Sequence, residues 1–334
     1  MLPRTFIASS GLDTNDGRLA TPCRSIGAAL ALTDPGGEIV VLDSAGYGAA
    51  TINKSVSVIA PSGVFAGITV TAGTGIDVTA GTVTLRGLTL HGAGGAIGIH
   101  VGNAIVHVDG CTISGFAQFG IHADTANGAV YVRDTQIANC TDGLRFEGAV
   151  RFALDRVSTE GNGNTGLNVF PGARGSARGL ASGRNGNQGV VVQNGTAGAD
   201  CYLALDGAMI AGNGNSAISV SVSAPVAAPS NVTITRSTLA NNGADGVLVS
   251  TQGSGAATVV VSDSVIDANA LRGVAAMGAG ATAVVCGNQV TRNAGVGLSQ
   301  SGGGALKTEQ DNLVDGNNQG AAQTLGALTA VAAV

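Results

Sequence analysis

Two histidines occupy the same place in two similar segments of the chain. His100 lies in GIGIHVG and His122 in FGIHADT, each at the same step of an alternating apolar pattern. Imidazole nitrogens are common ligands of transition metals, and a pair of imidazoles can also bind an acidic group. Phe116 and Phe119 lie between the two histidines, and the next similar segment has Arg145 at the same step. The sequence therefore indicates a candidate ligand patch at His100, His122, Arg145, Phe116 and Phe119.

The simpler interpretation of this patch is a column of stacked surface side chains that binds nothing. Outward positions of neighbouring repeats stack in any repeat protein, so stacking alone does not define a site. We assign no metal and no cofactor from the sequence. A second column of the same kind is predicted at His107, Tyr131 and Arg151.

Cleavage of a polysaccharide needs a general acid and a general base on either side of one bond. The candidates for such work are Asp134, Asp155 and Glu160, with Arg156 and Arg178 nearby in the sequence. Their distances to the nearest apolar anchor differ: Asp134 lies three residues before it, Asp155 two before and Glu160 three after. These side chains are therefore not expected to form one tight column.

A solvated turn explains the same residues without catalysis, because Asp109, Asp206, Arg236 and Asp263 occupy similar places in other repeats. Aromatic residues are only 3% of the chain and Trp is absent, which weakens the case for sugar stacking. The sequence assigns no catalytic residue. If the protein is an enzyme, the candidates are Asp134, Asp155, Glu160 and Arg178.

The elements that would position these groups are short strands in a repeated unit. Copies such as VHVDGCTISGFAQFGIHA from Val106 and VTITRSTLANNGADGVLV from Val232 recur about every 20 to 29 residues. Alternating apolar residues predict strands with one buried face. If each copy is one turn of a coil, each strand pairs in parallel with the same strand one copy later. The prediction is an all-β, single-stranded parallel β-helix of about twelve rungs, spaced about 4.8 Å apart.

The turn GNGN recurs at the same place in several copies, as in GNGNTGLNV from Gly161 and GNGNSAISV from Gly212. Stacked copies of this turn would let asparagine amides bond from rung to rung, each bond stabilising by about 0.5–1.5 kcal/mol. We predict a structural ladder, with no catalytic role, at Asn162, Asn185, Asn213, Asn242, Asn269 and Asn293.

A capping helix is predicted ahead of the repeats. Thr21 is a plausible N-cap with Pro22 at the first helical position, and Asp34-Pro35-Gly36-Gly37 would end the helix. Residues 1–60 are then an N-terminal cap with the first coil, 61–320 the rungs, and 321–334 an apolar C-terminal tail or cap, all in one structural domain.

Charge and composition exclude several kinds of partner. The net charge of −5, with no run of Lys or Arg, argues against nucleic acid. No apolar run is long enough to span a bilayer. No signal peptide is visible at the N-terminus, MLPRTFIASS. Five cysteines without metal-like spacing are expected to be small buried side chains.

The repeats, together with the opening segment RTFIASSGLDTNDGRLATPCRSIGAALALTDPGGEIVVLDSAGYGAATINKSVSVIA, resemble the right-handed parallel β-helix proteins of the pectin-lyase-like superfamily. The resemblance is to bacterial proteins of β-helix repeats and covers nearly the whole chain. It implies the fold strongly and the activity weakly, because the superfamily includes lyases, hydrolases, adhesins and phage spikes.

The expected function is that of a non-catalytic β-helix, extracellular or on the cell surface, acting as an adhesive or assembly module with polysaccharide as a candidate ligand. The alternative is a polysaccharide lyase or glycoside hydrolase of the same superfamily. The tail GAAQTLGALTAVAAV has no charge to discourage edge pairing, so self-association through this end, as a dimer or an end-to-end stack, is also expected.

Overall fold

The computed structural model describes residues 1–196, 198–223 and 228–331. They form a parallel β-solenoid of about twelve turns with one short α-helix. The all-β parallel β-helix predicted from the repeats is therefore confirmed. The chain divides into two compact units, one of Met1–Arg145 with Val150–Ser158 and one of Phe146–Ala149 with Thr159–Val334.

The first unit contains the capping helix and the strands that lead up to its boundary. The helix is α1 (Ile26–Leu32). Its strands, in chain order, are β1 (Leu2–Ile7), β2 (Thr33–Val41), β3 (Ala45–Gly46), β4 (Ala50–Ile52), β5 (Val56–Ile59), β6 (Ala66–Val70), β7 (Thr74–Arg86), β8 (Leu88–Gly92), β9 (Ile97–Asp109), β10 (Thr112–Ser114), β11 (Phe119–Ala123), β12 (Ala129–Arg133), β13 (Gln136–Ala138), β14 (Asp142–Phe146) and β15 (Arg151–Asp155).

The second unit continues the same pattern, with a short 3₁₀ turn at Asn318–Gly320. Its strands are β16 (Ser158–Glu160), β17 (Leu167–Val169), β18 (Arg174–Arg178), β19 (Ala181–Gly183), β20 (Val190–Asn194), β21 (Cys201–Asp206), β22 (Met209–Ala211), β23 (Ile218–Val222), β24 (Ser230–Thr235), β25 (Thr238–Ala240), β26 (Val247–Thr251), β27 (Ala257–Ser262), β28 (Val265–Asp267), β29 (Val274–Met277), β30 (Ala281–Cys286), β31 (Gln289–Thr291), β32 (Leu298–Ser301), β33 (Ala305–Thr308), β34 (Leu313–Asp315), β35 (Thr324–Leu325) and β36 (Thr329–Ala330).

Strands of the first unit pair in parallel with the equivalent strand of the next turn. β7 and β9 are 13 residues long, and each continues through a corner, so they pair with one another along nearly their whole length. Val83 and Leu85 of β7 point into the core and stack on Val106 and Val108 of β9. Residues between these positions point outward, so one face of each strand forms the core and the other forms the surface.

The capping helix begins later than its sequence predicts. Ser25, not Thr21, is the N-cap, and its Oγ accepts a hydrogen bond from the Ala28 N–H. The Asp13 carboxylate accepts the N–H groups of Arg24 and Ser25, which holds this segment extended up to the helix. The Thr21 and Pro22 assignment was therefore wrong.

The end of the helix also differs from the prediction. Thr33 ends the helix, and its hydroxyl donates to the Ala29 carbonyl. Residues 34–37, predicted as the stop, already belong to β2, which pairs with β1 on one side and with β5 on the other. Ile26, Ala29 and Leu30 form the buried face of the helix.

The asparagine ladder of the second unit is a continuous chain of hydrogen bonds. Asn185 donates its backbone N–H and its side-chain amide to Asn213 Oδ1, at 3.1 and 2.9 Å. The same pair of bonds joins Asn213 to Asn242, and further rungs repeat it. All members are buried, so each side-chain amide provides hydrogen bonds that water would otherwise make to its neighbours. The ladder comprises Asn162, Asn185, Asn213, Asn242, Asn269 and Asn293, and Asn317 extends it.

Glycine in the GNGN turn is required by close stacking of the backbone. A Cβ added at Gly186 would lie 2.2 Å from the Gly163 carbonyl oxygen of the preceding rung, and one at Gly214 would lie 2.3 Å from that of Gly186. No side chain fits at these distances. The repeated turn therefore combines an amide that joins the rungs with a glycine that lets them approach.

A second ladder, which the sequence analysis missed, occupies another corner of the second unit. Ser264 Oγ accepts the Ser237 N–H at 3.0 Å, and Asn288 Oδ1 accepts the Ser264 N–H at 3.0 Å. Asn312 Oδ1 continues the chain by accepting from Asn288. Its members are serines as well as asparagines, so no single residue type marks the repeat.

The five cysteines all lie among the described residues and are thiols. Cys23, Cys111, Cys140 and Cys201 are buried, and Cys286 is half-buried. Burial raises the pKa of the Cys111 and Cys201 thiols to about 11, so both stay protonated at neutral pH. They pack as small side chains in the core.

The C-terminal tail, up to residue 331, extends the solenoid of its own chain. β35 pairs in parallel with β32, and β36 with β33. Residues 332–334, which belong to the predicted tail, lie outside the described residues. Association of two copies through this end stays a prediction.

We expect Asn242→Ala to lower the free energy of unfolding by about 2–4 kcal/mol, because it removes several buried hydrogen bonds and leaves neighbouring groups unsatisfied. Urea denaturation followed by circular dichroism measures this. The control is Asn231→Ala, an outward-facing asparagine of β24, which should change the stability by less than about 0.5 kcal/mol. Equal effects from the two variants would contradict the structural importance of the ladder.

Self-association can be checked by light scattering over a range of concentrations. The expected result is a dimer or larger species for the full chain and a monomer for a chain that lacks residues 321–334, because the uncharged tail offers an edge for pairing. A full chain that stays monomeric at high concentration would show that the tail only caps its own solenoid.

Candidate functional site

A groove of about 460 Å³ lies on the outward face of the first unit. Its volume is within the range of small-ligand sites, about 300–1,000 Å³. Four parallel strand segments, the ends of β7 and β9 together with β12 and β15, form its floor. We call this surface the outer groove; its lining residues are Thr84, Arg86, His107, Val108, Asp109, Tyr131, Val132, Arg133, Ala153, Leu154 and Asp155.

An aromatic pair stands in the middle of the outer groove. His107 and Tyr131 are register partners, and their rings stack with centroids 4.8 Å apart and 14° between the planes. Tyr131 keeps 42% of its surface exposed. Its neighbour on the next strand is Ala153, which leaves the space beside the ring open. The pair therefore forms a flat, accessible platform.

The second column predicted from the sequence was only partly right. His107 and Tyr131 are neighbours, but the register places Ala153 beside Tyr131 and pairs Arg151 with Ala129. Phe152 and Leu154 of β15 face inward and pair with Val130 and Val132, so the outward residue between them, Ala153, lies beside Tyr131.

Side chains of alternating charge form another column along the outer groove, which we call the charged column. The register aligns Arg86, Asp109, Arg133 and Asp155 on successive strands. Arg133 donates two hydrogen bonds to Asp109, at 3.2 and 2.9 Å, and Arg86 Nε donates to the same carboxylate at 3.0 Å. The hydrogen bond from Arg133, with the charges of both arginines, lowers the pKa of Asp109 and keeps it ionised. Two guanidinium groups thus lie at the groove in fixed orientations.

Two candidate catalytic residues are found here: Asp155 ends this column, and Asp134 lies at the corner beside it. Arg156 donates to Asp134 at 2.7 and 2.9 Å and to Asp155 at 2.6 Å. The hydrogen bond from Arg156 lowers the pKa of Asp134. A lowered pKa suits a structural ion pair better than a general acid at neutral pH. Asp155 also lines the outer groove.

The other two candidates lie in the second unit. Glu160 forms an ion pair with Arg184. Arg178 ends β18 and is the register partner of Asp206. Asp134 and Asp155 therefore share Arg156, whereas Glu160 and Arg178 have different neighbours.

The predicted ligand patch is a cluster of two histidines with two carboxylates. Asp77, His100 and His122 occupy one column on successive turns, because His100 is the register partner of both others. His100 Nδ1 lies 2.8 Å from Asp77 Oδ1, and its Nε2 lies 3.1 Å from Asp124 Oδ1. The two imidazole centroids are 5.7 Å apart. We call Asp77, His100, His122 and Asp124 the histidine cluster.

Phe119 and Arg145 lie beside His122 as the predicted patch requires, whereas Phe116 does not. The Phe119 ring contacts His122, with centroids 4.6 Å apart, and the Arg145 guanidinium lies 5.3 Å from the Phe119 centroid. Phe116 is instead fully buried, with 1% of its surface exposed, so its place in a surface patch was wrong. Its ring fills the core beside Gly98, where an added Cβ would lie 3.1 Å from it.

Asp77 and Asp124 were missed by the sequence analysis. Asp124 could have been found, because it lies two residues after His122 in FGIHADT. Asp77 could be found only from the strand register, since it lies 23 residues before His100.

Comparison with known proteins gives the family. The model of the right-handed β-helix region matches residues 39–176, 98–259 and 184–327, which together cover most of the chain. The chain therefore belongs to the right-handed β-helix family. A comparison with characterised protein sequences gave no significant match. Among residues 1–196, 198–223 and 228–331, no helix has the length and apolar character needed to cross a membrane.

Solved structures with the same fold include two carbohydrate-active enzymes and a tailspike protein. The A-module of a mannuronan C-5 epimerase from Azotobacter vinelandii has a TM-score of 0.58 at 16% identity, over 98% of this chain and 100% of that one. A pectate lyase has 0.56 at 16% identity, over 97% and 81%. The Dettilon tailspike protein has 0.55 at 11% identity, over 98% and 68%. At these identities the likeness shows the fold alone.

We expect His100 to titrate above its ordinary pKa. Partial burial lowers the pKa of His100, but hydrogen bonds with Asp77 and Asp124, and their negative charges, outweigh this and raise it. Because the folded-state pKa is the higher one, the stabilisation is complete below the unfolded pKa of about 6.5. It is lost as the pH rises through the folded-state pKa.

NMR titration of the imidazole Cε1–H signals tests this expectation. The pKa of His100 should fall in Asp77→Asn and stay unchanged in Asp263→Asn, a control on the second unit. A His100 pKa at or below about 6.5 in the unaltered chain would contradict the raised value.

Proposed function

We propose that this chain binds a polysaccharide in the outer groove, without cleaving it, and that it does so outside the cell or on its surface. The observation that carries the proposal is the exposed, stacked pair of His107 and Tyr131. The apolar C–H groups on one face of a sugar ring pack well on an exposed aromatic ring. We place the chain outside the cell or on its surface because the polysaccharides that it would bind occur there.

The charged column supplies the polar contacts that a saccharide needs. Guanidinium groups carry five N–H donors each, and Arg86 uses only its Nε in the bond to Asp109. Hydroxyl groups and carboxylates of a sugar can accept the remaining hydrogen bonds of Arg86. Because Arg86 and Arg133 are already held by Asp109, ordering them on binding costs little conformational entropy.

The expected ligand is a uronate-containing polysaccharide. A uronate residue offers both a ring face for Tyr131 and a carboxylate for a guanidinium, which binds carboxylates through paired N–H donors. Two proteins of similar structure, a mannuronan C-5 epimerase and a pectate lyase, are consistent with this ligand class. The charged column contains two arginines and two aspartates, so its net charge is zero. Recognition of the uronate therefore rests on local geometry and not on net charge.

Calorimetry with oligomers of mannuronate and of galacturonate tests the proposal, with a cello-oligosaccharide as the neutral comparison. Tyr131→Ala should weaken uronate binding by about 2- to 12-fold, since stacking contributes about 0.5–1.5 kcal/mol and about 1.4 kcal/mol corresponds to tenfold. Arg86→Ala should weaken the uronates more than the neutral oligomer, because it removes donors for the carboxylate.

Matched controls come from the second unit. Tyr202 is 41% exposed, almost the same as Tyr131, and Arg236 is an exposed arginine in an ion pair with Asp206. Tyr202→Ala and Arg236→Ala should leave uronate binding unchanged. Absence of uronate binding by the unaltered chain, or equal losses in these controls, would sink the proposal.

A second candidate function is cleavage or epimerisation of the same polymer. Asp155 favours it, because this candidate catalytic residue lines the groove that holds two further titratable side chains, His107 and Tyr131. Incubation with alginate or polygalacturonate, with and without calcium, followed by analysis of the products, distinguishes the two functions. Turnover that Asp155→Ala abolishes would replace the binding proposal by the enzymatic one.

A further inference from the structure

The histidine cluster has the donor set of a transition-metal site. Asp124 contributes a carboxylate oxygen, and His100 and His122 each contribute an imidazole nitrogen, with all three atoms within 4.8 Å of one another. Two imidazoles with one carboxylate are a recurrent protein ligand set for zinc, which leaves a fourth position for water. Calcium and magnesium prefer oxygen ligands throughout.

The spacing of the donors is close to what a metal needs. Metal–nitrogen and metal–oxygen bonds of about 2.0–2.2 Å in a tetrahedral site place the donors about 3.3–3.5 Å from one another. His100 Nε2 and Asp124 Oδ1 are already 3.1 Å apart. Bringing in the His122 nitrogen requires a shift of at most about 1.5 Å, which rotation of exposed Asp124 and half-buried His100 can share.

Asp77 orients His100 for this role. With Nδ1–H donating to Asp77 at 2.8 Å, the His100 ring presents Nε2 to Asp124. This is the arrangement of a metal-ligating histidine, whose second nitrogen donates to a carboxylate that fixes the ring and its tautomer. A metal ion would take the position of the proton between Nε2 and Asp124 and release that proton to solvent.

The backbone holds the cluster in place. Asp77, His100 and His122 lie on consecutive strands of one parallel sheet, and Asp124 directly follows the last of them, β11. The Phe119 ring packs against His122 and limits its rotation. Sites on strands keep their geometry better than sites on loops.

We infer that His100, His122 and Asp124 bind one zinc-class divalent metal ion, with Asp77 as the carboxylate that positions His100. This site is separate from the outer groove, which uses none of these four residues. Part of the His100 and Asp124 side chains is exposed, 25% and 46%, so the metal and a fourth ligand can reach the site from solvent.

Calorimetric titration of the full, chelator-treated chain with zinc chloride tests the inference. The expected result is one zinc ion per chain. His122→Gln and Asp124→Asn each remove a ligand and should reduce the affinity by at least 100-fold. Asp77→Asn should reduce it by about 10- to 100-fold, as loss of such an orienting partner does.

The matched control is His91→Gln, which removes an outward-facing histidine near Ser114 and should leave zinc binding unchanged. Circular dichroism of each variant separates loss of a ligand from loss of the fold, and Asp124→Asn alters an exposed side chain. In NMR spectra, the imidazole signals of His100 and His122 should respond at the same zinc concentration.

Three results would overturn the inference. They are the absence of stoichiometric zinc binding, zinc binding that survives both His122→Gln and Asp124→Asn in folded protein, and an equal loss in His91→Gln. The second result would point to another zinc ligand, such as the half-buried thiol of Cys286.

Discussion

The in-register parallel pairing of each turn with the next is the constraint on which the other features depend. Backbone hydrogen bonds fix neighbouring strands about 4.8 Å apart, and the register brings equivalent residues side by side. Any side chain that recurs at one step of the repeat therefore meets its own copy. Buried asparagines of the second unit use this to satisfy one another, as Asn185, Asn213 and Asn242 do. The same geometry places His100 beside the buried His122, and His107 beside Tyr131 on the surface.

Stacking at this distance has an electrostatic cost that the outward columns avoid in two ways. Like charges on adjacent strands repel, so one column alternates Arg86, Asp109, Arg133 and Asp155. The histidine cluster instead surrounds one imidazole, His100, with two carboxylates. The first arrangement leaves two guanidinium groups oriented toward a groove, and the second leaves nitrogen and oxygen donors converging on one point. We propose a different ligand for each arrangement: a saccharide for the first and a metal ion for the second.

The sequence predicts the fold because the periodic residues are those that face the core. Val106 and Val108 recur as Val130 and Val132, so the strands and their parallel pairing can be read from the alternation. The ladder positions are recognisable because one residue type, asparagine, recurs, and glycine follows it at four of the six predicted positions. The serine ladder at Ser237 and Ser264 was missed, since its members change type from rung to rung.

The candidate site is less predictable, because it depends on turn lengths that the sequence leaves open. The alignment of Arg151 with Tyr131 failed by two residues, although matching Phe152 and Leu154 to the inward valines of β12 would have corrected it. The sequence around Phe116 does not indicate whether its ring faces the core or the solvent. The start of α1 depends on Asp13, which holds Arg24 and Ser25 from eleven and twelve residues away.

The most direct test of the account is a crystal structure of this chain with a uronate hexamer. The account predicts a sugar ring stacked on Tyr131, within the outer groove, with a carboxylate or hydroxyl group hydrogen-bonded to Arg86. Density for the oligomer on another face, with the outer groove occupied only by water, would contradict it.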